Sequence, residues 1–130
     1  MNAKDLMVGD WVMLFDDIPT RVDAIGDVKI YLTDNQGYEW HSEYPFIEPI
    51  PLTRAILEKN GFRWLSTEEN YGSSGRSVSR YSFPLGQGFN IEEWDDNTFL
   101  ITDHCFMRFR YVHEFQHVIR MCYISKEITI

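Results

Sequence analysis

Apolar residues in the first fifty positions come in short runs, each closed by turn residues. Residues 11–15 are apolar and strand-like, and Asp16-Asp17-Ile18-Pro19 closes them as a turn. Residues 20–25 alternate, with Val22 and Ile25 as inward candidates, and Gly26-Asp27 turns the chain again. Val28, Ile30 and Leu32 carry the next alternating run up to Thr33, and Asp34-Asn35-Gln36-Gly37 makes a third turn. Residues 38–41 and 46–50 supply two more short strands. Five strands with tight turns in this length predict a small, strongly bent SH3-like β-barrel over residues 1–52. Pro49-Ile50-Pro51 ends its pairing, because proline brings no N–H to a ladder.

A short helix follows. Thr53 is a good N-cap, residues 54–60 hold Ala55, Ile56 and Leu57, and Gly61 stands where a left-handed C-terminal cap belongs. Phe62 is placed to fold back on the last turn. The pattern then returns to strands at 62–65, 78–83, 89–94 and 98–102, with the polar stretch 66–77 as a mobile hairpin tip. Residues 105–110 read equally as a strand or as a lead into a helix, and 125–130 as an edge strand. The last helix spans 111–122. At 100° per residue, Tyr111, Val112, Phe115, Val118, Ile119 and Cys122 fill about a third of its circumference, and His113, Gln116, His117 and Arg120 fall opposite. The fold class expected is therefore α+β: an N-terminal barrel, a linking helix, and a second antiparallel sheet packed by a C-terminal helix over residues 53–130.

Charge divides the chain unevenly. Residues 1–50 hold ten Asp/Glu against three Lys/Arg, and residues 51–130 hold ten against nine, within a net charge of −8. So acidic a surface repels phosphate, which argues against nucleic acid and anionic membrane as partners and for a protein with a basic surface. The opening run M-N-A-K-D-L-M-V-G-D has charges where a signal peptide needs an apolar core, and no segment reaches membrane-spanning length. Cys105 and Cys122 form no C-x-x-C pair. A cytoplasmic chain is the expectation.

The candidate chemistry lies in the last helix. His113-Glu114-x-x-His117 is the spacing that sets two imidazoles on one helical face to hold zinc, with the glutamate as general base. Such a site needs a third protein ligand, and the position six residues beyond His117 is Tyr123. His104, Asp103 or His41 would have to supply it from upstream. The simpler expectation is an ordinary amphipathic helix with two outward histidines, no metal and no cofactor; the alternative is a zinc-dependent hydrolase. The acidic pairs Asp16-Asp17, Glu92-Glu93 and Asp95-Asp96 are assigned to solvent, since neighbours on a strand point to opposite faces.

Residues 111–117 with Arg120-Met121-Cys122, the opening A-K-D-L-M-V-G-D-W-V and the connector at 47–53 resemble a family of small uncharacterised proteins from gut bacteria and their mobile elements. The helix of that family reads Val-His-x-Leu-Gln, and its members can have Gln and Asn where this chain has Glu114 and His117. The resemblance thus implies that the histidine pair is not a zinc site, and it brings no functional residues with it.

Aromatic residues offer another kind of site. Trp11, Tyr38, Trp40 and Tyr44 resemble the surface with which small barrels take extended peptides. With the charge asymmetry they point to a non-enzymatic binding or adaptor module.

Overall fold

The computed structural model describes residues 1–84, 90–101, 108–122, 124 and 126–130. The chain divides into two units, one holding residues 1–51, 111–116 and 130, the other 52–110 and 117–129. Residues 111–116, the start of the last helix, thus group with the first unit. The architecture is α+β, with two five-stranded antiparallel sheets and two α-helices.

In the first unit, β1 (Trp11–Leu14), β2 (Ile18–Ile25), β3 (Lys29–Asp34), β4 (Glu39–Glu43) and β5 (Ile47–Pro49) pair in the order β4-β3-β2-β1-β5. A 3-10 turn at Tyr44–Phe46 leads into β5, which returns to β1. Alternation decides the inner face: Val12 and Leu14, Val22, Ile30 and Leu32, and Ile47 bury against Leu6. β4 and β5 are the two ends of this order and do not pair, so the sheet is not closed into a barrel. Glu39 and Glu43 are exposed on β4, and Pro49 brings no N–H to β5, features common on edge strands. A bulge between Val22 and Ala24 shifts the β2–β3 register, and Ile25, expected inward, is exposed. Val28, expected in a strand, is exposed in the β2–β3 turn.

In the second unit, α1 (Arg54–Lys59) precedes β6 (Arg63–Glu68), β7 (Val78–Ser82), β8 (Asn90–Trp94), β9 (Phe99–Ile101) and β10 (Arg108–Phe109), which pair in sequence order. The caps of α1 form as the sequence predicts. Thr53 accepts from Ile56 N at 3.2 Å, Gly61 N (φ +85°) donates to Glu58 O, and Phe62 N donates to Leu57 O, the paired bonds of a glycine-terminated helix. Val78, Tyr81, Phe83, Ile91, Phe99, Ile101 and Phe109 are buried with Leu57 and Phe62. The expected hairpin tip is shorter than predicted, because β6 continues through Glu68 paired with Val78. Beyond it, Gly75 N donates to Asn70 Oδ1 at 2.6 Å and organises the remaining turn. The ambiguous segment near 108 is a strand, and the expected C-terminal edge strand is absent among the described residues. There, Thr129 is held instead by buried Asn60, whose Oδ1 accepts from Thr129 N and whose Nδ2 donates to Thr129 O, both at 2.8 Å.

The second helix, α2 (Val112–Met121), starts in the first unit, where Tyr111 bridges Pro51 and Val112 N donates to Ile50 O at 2.9 Å. Its expected outer face is corrected: His113 and Gln116 are buried, at 6% and 7% exposure. No helix among the described residues is long and apolar enough to cross a membrane.

Candidate functional site

Two turns of the first unit build a pocket. The β1–β2 turn is Phe15-Asp16-Asp17, closed by Asp17 N donating to Leu14 O at 3.3 Å. Phe15 (φ +51°) and Asp16 (φ +68°) both occupy the left-handed region, uncommon for a bulky residue and costing about 1 kcal/mol or more at Phe15. That conformation leaves Phe15 half exposed, edge-on to Trp40 (ring centroids 6.4 Å, 79°) and Phe46 (5.7 Å, 61°). Phe15 N donates to Phe46 O at 3.2 Å and fixes the 3-10 turn beside it.

The β3–β4 turn is organised by one carboxylate. Asp34 Oδ1 accepts from Gln36 N (2.9 Å) and Tyr38 N (3.0 Å), and Oδ2 accepts from Trp40 Nε1 (3.0 Å). The indole N–H first, then the backbone amides, hold the Asp34 pKa below the ordinary carboxylate value, so it carries a fixed negative charge. Between the turns β2 overruns β3: its pairing with β1 reaches Ile18, but with β3 it begins only at Thr20 opposite Asp34. Pro19 is tolerated there because it needs no N–H toward β3. Ile18 and Pro19 therefore border an open pocket of about 340 Å³, with Asp17, Asp34, Asn35, Gln36 and Trp40 as its other lining residues.

Near it, like charges crowd. A hydrogen bond shared with Asp16, and the charge of Asp16, raise the Glu48 pKa above the ordinary carboxylate range.

Of the four aromatic residues expected to bind, two lie at this place. Trp40 walls the pocket while packing on the core, and Tyr38 stands 65% exposed in the β3–β4 turn. Trp11 is buried, with its N–H donating to Gln116 Oε1 at 2.9 Å. Tyr44 is partly buried and donates through its hydroxyl to Gly26 O at 2.5 Å. Phe15, Asp17 and Asp34 emerge only from the fold. Phe15 reads as the end of a strand in sequence, and Asp34-Asn35-Gln36-Gly37 signals a turn but not what the turn faces.

The histidine motif is arranged differently. Glu114 Oε1 accepts from Tyr111 N at 3.1 Å, so the expected general base closes the helix's own first turn, as a glutamate at the third helical position does in a capping box. His113 stacks near Tyr111 (6.1 Å, 15°) and is buried, while His117 is half-buried. Of the expected third ligands, His41 is exposed on β4 beside Tyr31, ring centroids 6.3 Å apart, and Asp103 and His104 lie outside the described residues, as does Cys105. No group of three or more His, Cys, Asp or Glu able to hold a metal ion occurs among the described residues.

No family model, curated protein or solved structure matches the chain.

Proposed function

We propose that the chain is a non-enzymatic binding or adaptor module whose first unit takes a protein partner with a basic surface. One observation carries this reading. The first unit holds eleven Asp/Glu against three Lys/Arg, a net −8, while the second holds nine against nine, a net of zero. Asp5, Asp16, Asp17, Asp23, Asp27, Glu39, Glu43 and Glu48 are all exposed, beside the half-exposed rings of Phe15 and Phe46. Aromatic area gives a partner something to bury, and the charge steers a basic one and repels an acidic one.

The strand order β4-β3-β2-β1-β5, with a 3-10 turn before the returning strand, supports an SH3-like element that is open at its edges. Kinship with the gut-bacterial and mobile-element proteins belongs to the same proposal and rests on segments 3–12, 47–53, 111–117 and 120–122. So does a cytoplasmic setting. The reading requires no cofactor and no nucleic acid.

The test is a panel of basic, neutral and acidic peptides of one length, bound to the immobilised full chain at 50 and 300 mM NaCl. Basic peptides are expected to bind preferentially, with affinity falling several-fold at the higher salt. Equal retention of all three classes, or binding indifferent to salt, would overturn the proposal.

A further inference from the structure

The second unit contains a worked example of what an indole flanked by carboxylates accepts. Arg76 lies over Trp94, with its guanidinium carbon 4.8 Å from the ring centroid, and pairs with Asp95 at 3.1 Å and Asp96 at 3.0 Å. One planar cation thus satisfies a π-face and two acids together. The pocket of the first unit repeats two of these three parts. Trp40 supplies the indole and Asp17 and Asp34 supply the carboxylates, but none of its seven lining residues is Lys or Arg.

We infer that this pocket receives one arginine side chain of the partner, with its alkyl stem along Ile18 and Pro19 and its guanidinium between Asp17, Asp34 and Trp40. The inference rests on reading the first unit as a protein-binding module, and it names the group recognised. Three features select that group. At about 340 Å³ the pocket is at the small end of ligand sites and suits a single side chain. An apolar side chain entering it would strip water from two carboxylates and return no hydrogen bond. An anion would meet two like charges.

The carboxylates have different parts. Asp34 accepts from Gln36 N, Tyr38 N and Trp40 Nε1, with Gly37 N also beside it, and so contributes chiefly its charge. Asp17 is exposed at the rim and offers the two oxygens that match the guanidinium fork. Arginine is preferred to lysine because an ammonium neither stacks on an indole nor presents two parallel donors.

The experiment titrates the ¹⁵N-labelled full chain with acetyl-Gly-Arg-Gly-amide, its citrulline counterpart and its lysine counterpart. The Trp40 indole N–H signal is identified by its loss in Trp40→Phe. The arginine peptide is expected to shift the Trp40 indole and the Asp17 amide saturably, and citrulline to shift neither. Lysine should bind about threefold or more weakly than arginine. Asp17→Asn should weaken arginine binding about fivefold or more, while Asp5→Asn, which removes the same charge away from the pocket, should change it by less than about twofold. Asp17 is chosen because Asp34 organises its own turn, and both variants are checked for wild-type signal dispersion. Equal shifts from arginine and citrulline, shifts centred away from Trp40, or equal losses in Asp17→Asn and Asp5→Asn would each overturn the inference. If Asp17→Asn binds arginine as wild type does while the basic peptides still bind in a salt-sensitive way, the pocket assignment falls and the module reading stands. If no basic peptide binds, both fall.

Discussion

The two units share a plan, a five-stranded antiparallel sheet built from short strands, and solve the same electrostatic problem in opposite ways. In the second, arginines lie across the aromatic rings and between the acids. Arg76 and Arg108 stand 4.8 and 5.2 Å from the Trp94 centroid, Arg54 is 4.8 Å from that of Trp64, and Arg80 is 5.4 Å from that of Tyr71 while pairing with Glu68 and Glu92. In the first, acids meet acids: Glu48 shares a hydrogen bond with Asp16, and Asp17 and Asp34 line one pocket. The difference teaches that exposed aromatics and carboxylates do not by themselves mark a binding surface. They are candidates only where the chain has not supplied the cation itself.

The largest effects that test this comparison concern the amide that ties each unit together. Gln116 accepts from Trp11 N and donates to Gly9 O, both at 2.9 Å, in the first unit, as Asn60 does with Thr129 in the second. Gln116→Ala and Asn60→Ala should each cost about 1–3 kcal/mol in chemical denaturation, since each removes a buried amide that bonds backbone groups remote in sequence. If only one of the two destabilises, the units are not held by equivalent means.

Next come the left-handed glycines. Gly61 (φ +85°) would bring an added Cβ to 3.4 Å from Pro84 Cγ, whereas Gly37 (φ +87°) has nothing within 4 Å. Gly37→Ala should cost about 1 kcal/mol from the backbone alone, and Gly61→Ala more, the gap measuring how tightly Pro84 packs.

The smallest effects are those of pH, and they have opposite signs. The Asp96 pKa is lowered to about 2, first by the hydrogen bond from Thr98 and then by Arg76. The folded state therefore binds that proton less tightly than the unfolded chain. The stability from Asp96 is present above the ordinary carboxylate pKa and is lost as pH falls toward 2. Glu48 has a raised pKa, so the folded state binds its proton more tightly; its contribution is present at low pH and is lost as pH rises through that raised pKa. Relative to wild type, Glu48→Gln should raise the melting temperature at pH 7 and lose that advantage at pH 4. Asp96→Asn should lower the melting temperature at pH 7 and converge on wild type as pH falls. Parallel melting-temperature curves for variant and wild type across this range would remove the electrostatic contrast.

The elements legible in sequence were those whose causes are local. Thr53, Gly61 and Phe62 dictate the ends of α1 through neighbours a few residues away, and alternation locates Val22, Ile30 and Leu32 on the inner face. The pocket was illegible because it depends on register. Ile18 and Pro19 border it only because β2 pairs with β1 for two residues beyond its last pair with β3. Phe15 was misread for a related reason, since its identity suits a strand and its φ is imposed by the turn it shares with Asp16. Helical periodicity found the apolar stripe of α2 but put Gln116 on the wetted side. What buries Gln116 is a pair of backbone groups remote in sequence, and no periodic signal records them.

That remoteness has a consequence for biosynthesis. Gln116 lies 105 residues after Trp11 and 107 after Gly9, the groups it bonds. A ribosome adding about 5–20 residues per second reaches it roughly 5–20 s after those groups are made. During that interval strands β1 to β5 can pair before the bonds to Gln116 form. The first unit is thus completed only once residue 116 has been made and folds back onto the Gly9–Trp11 segment.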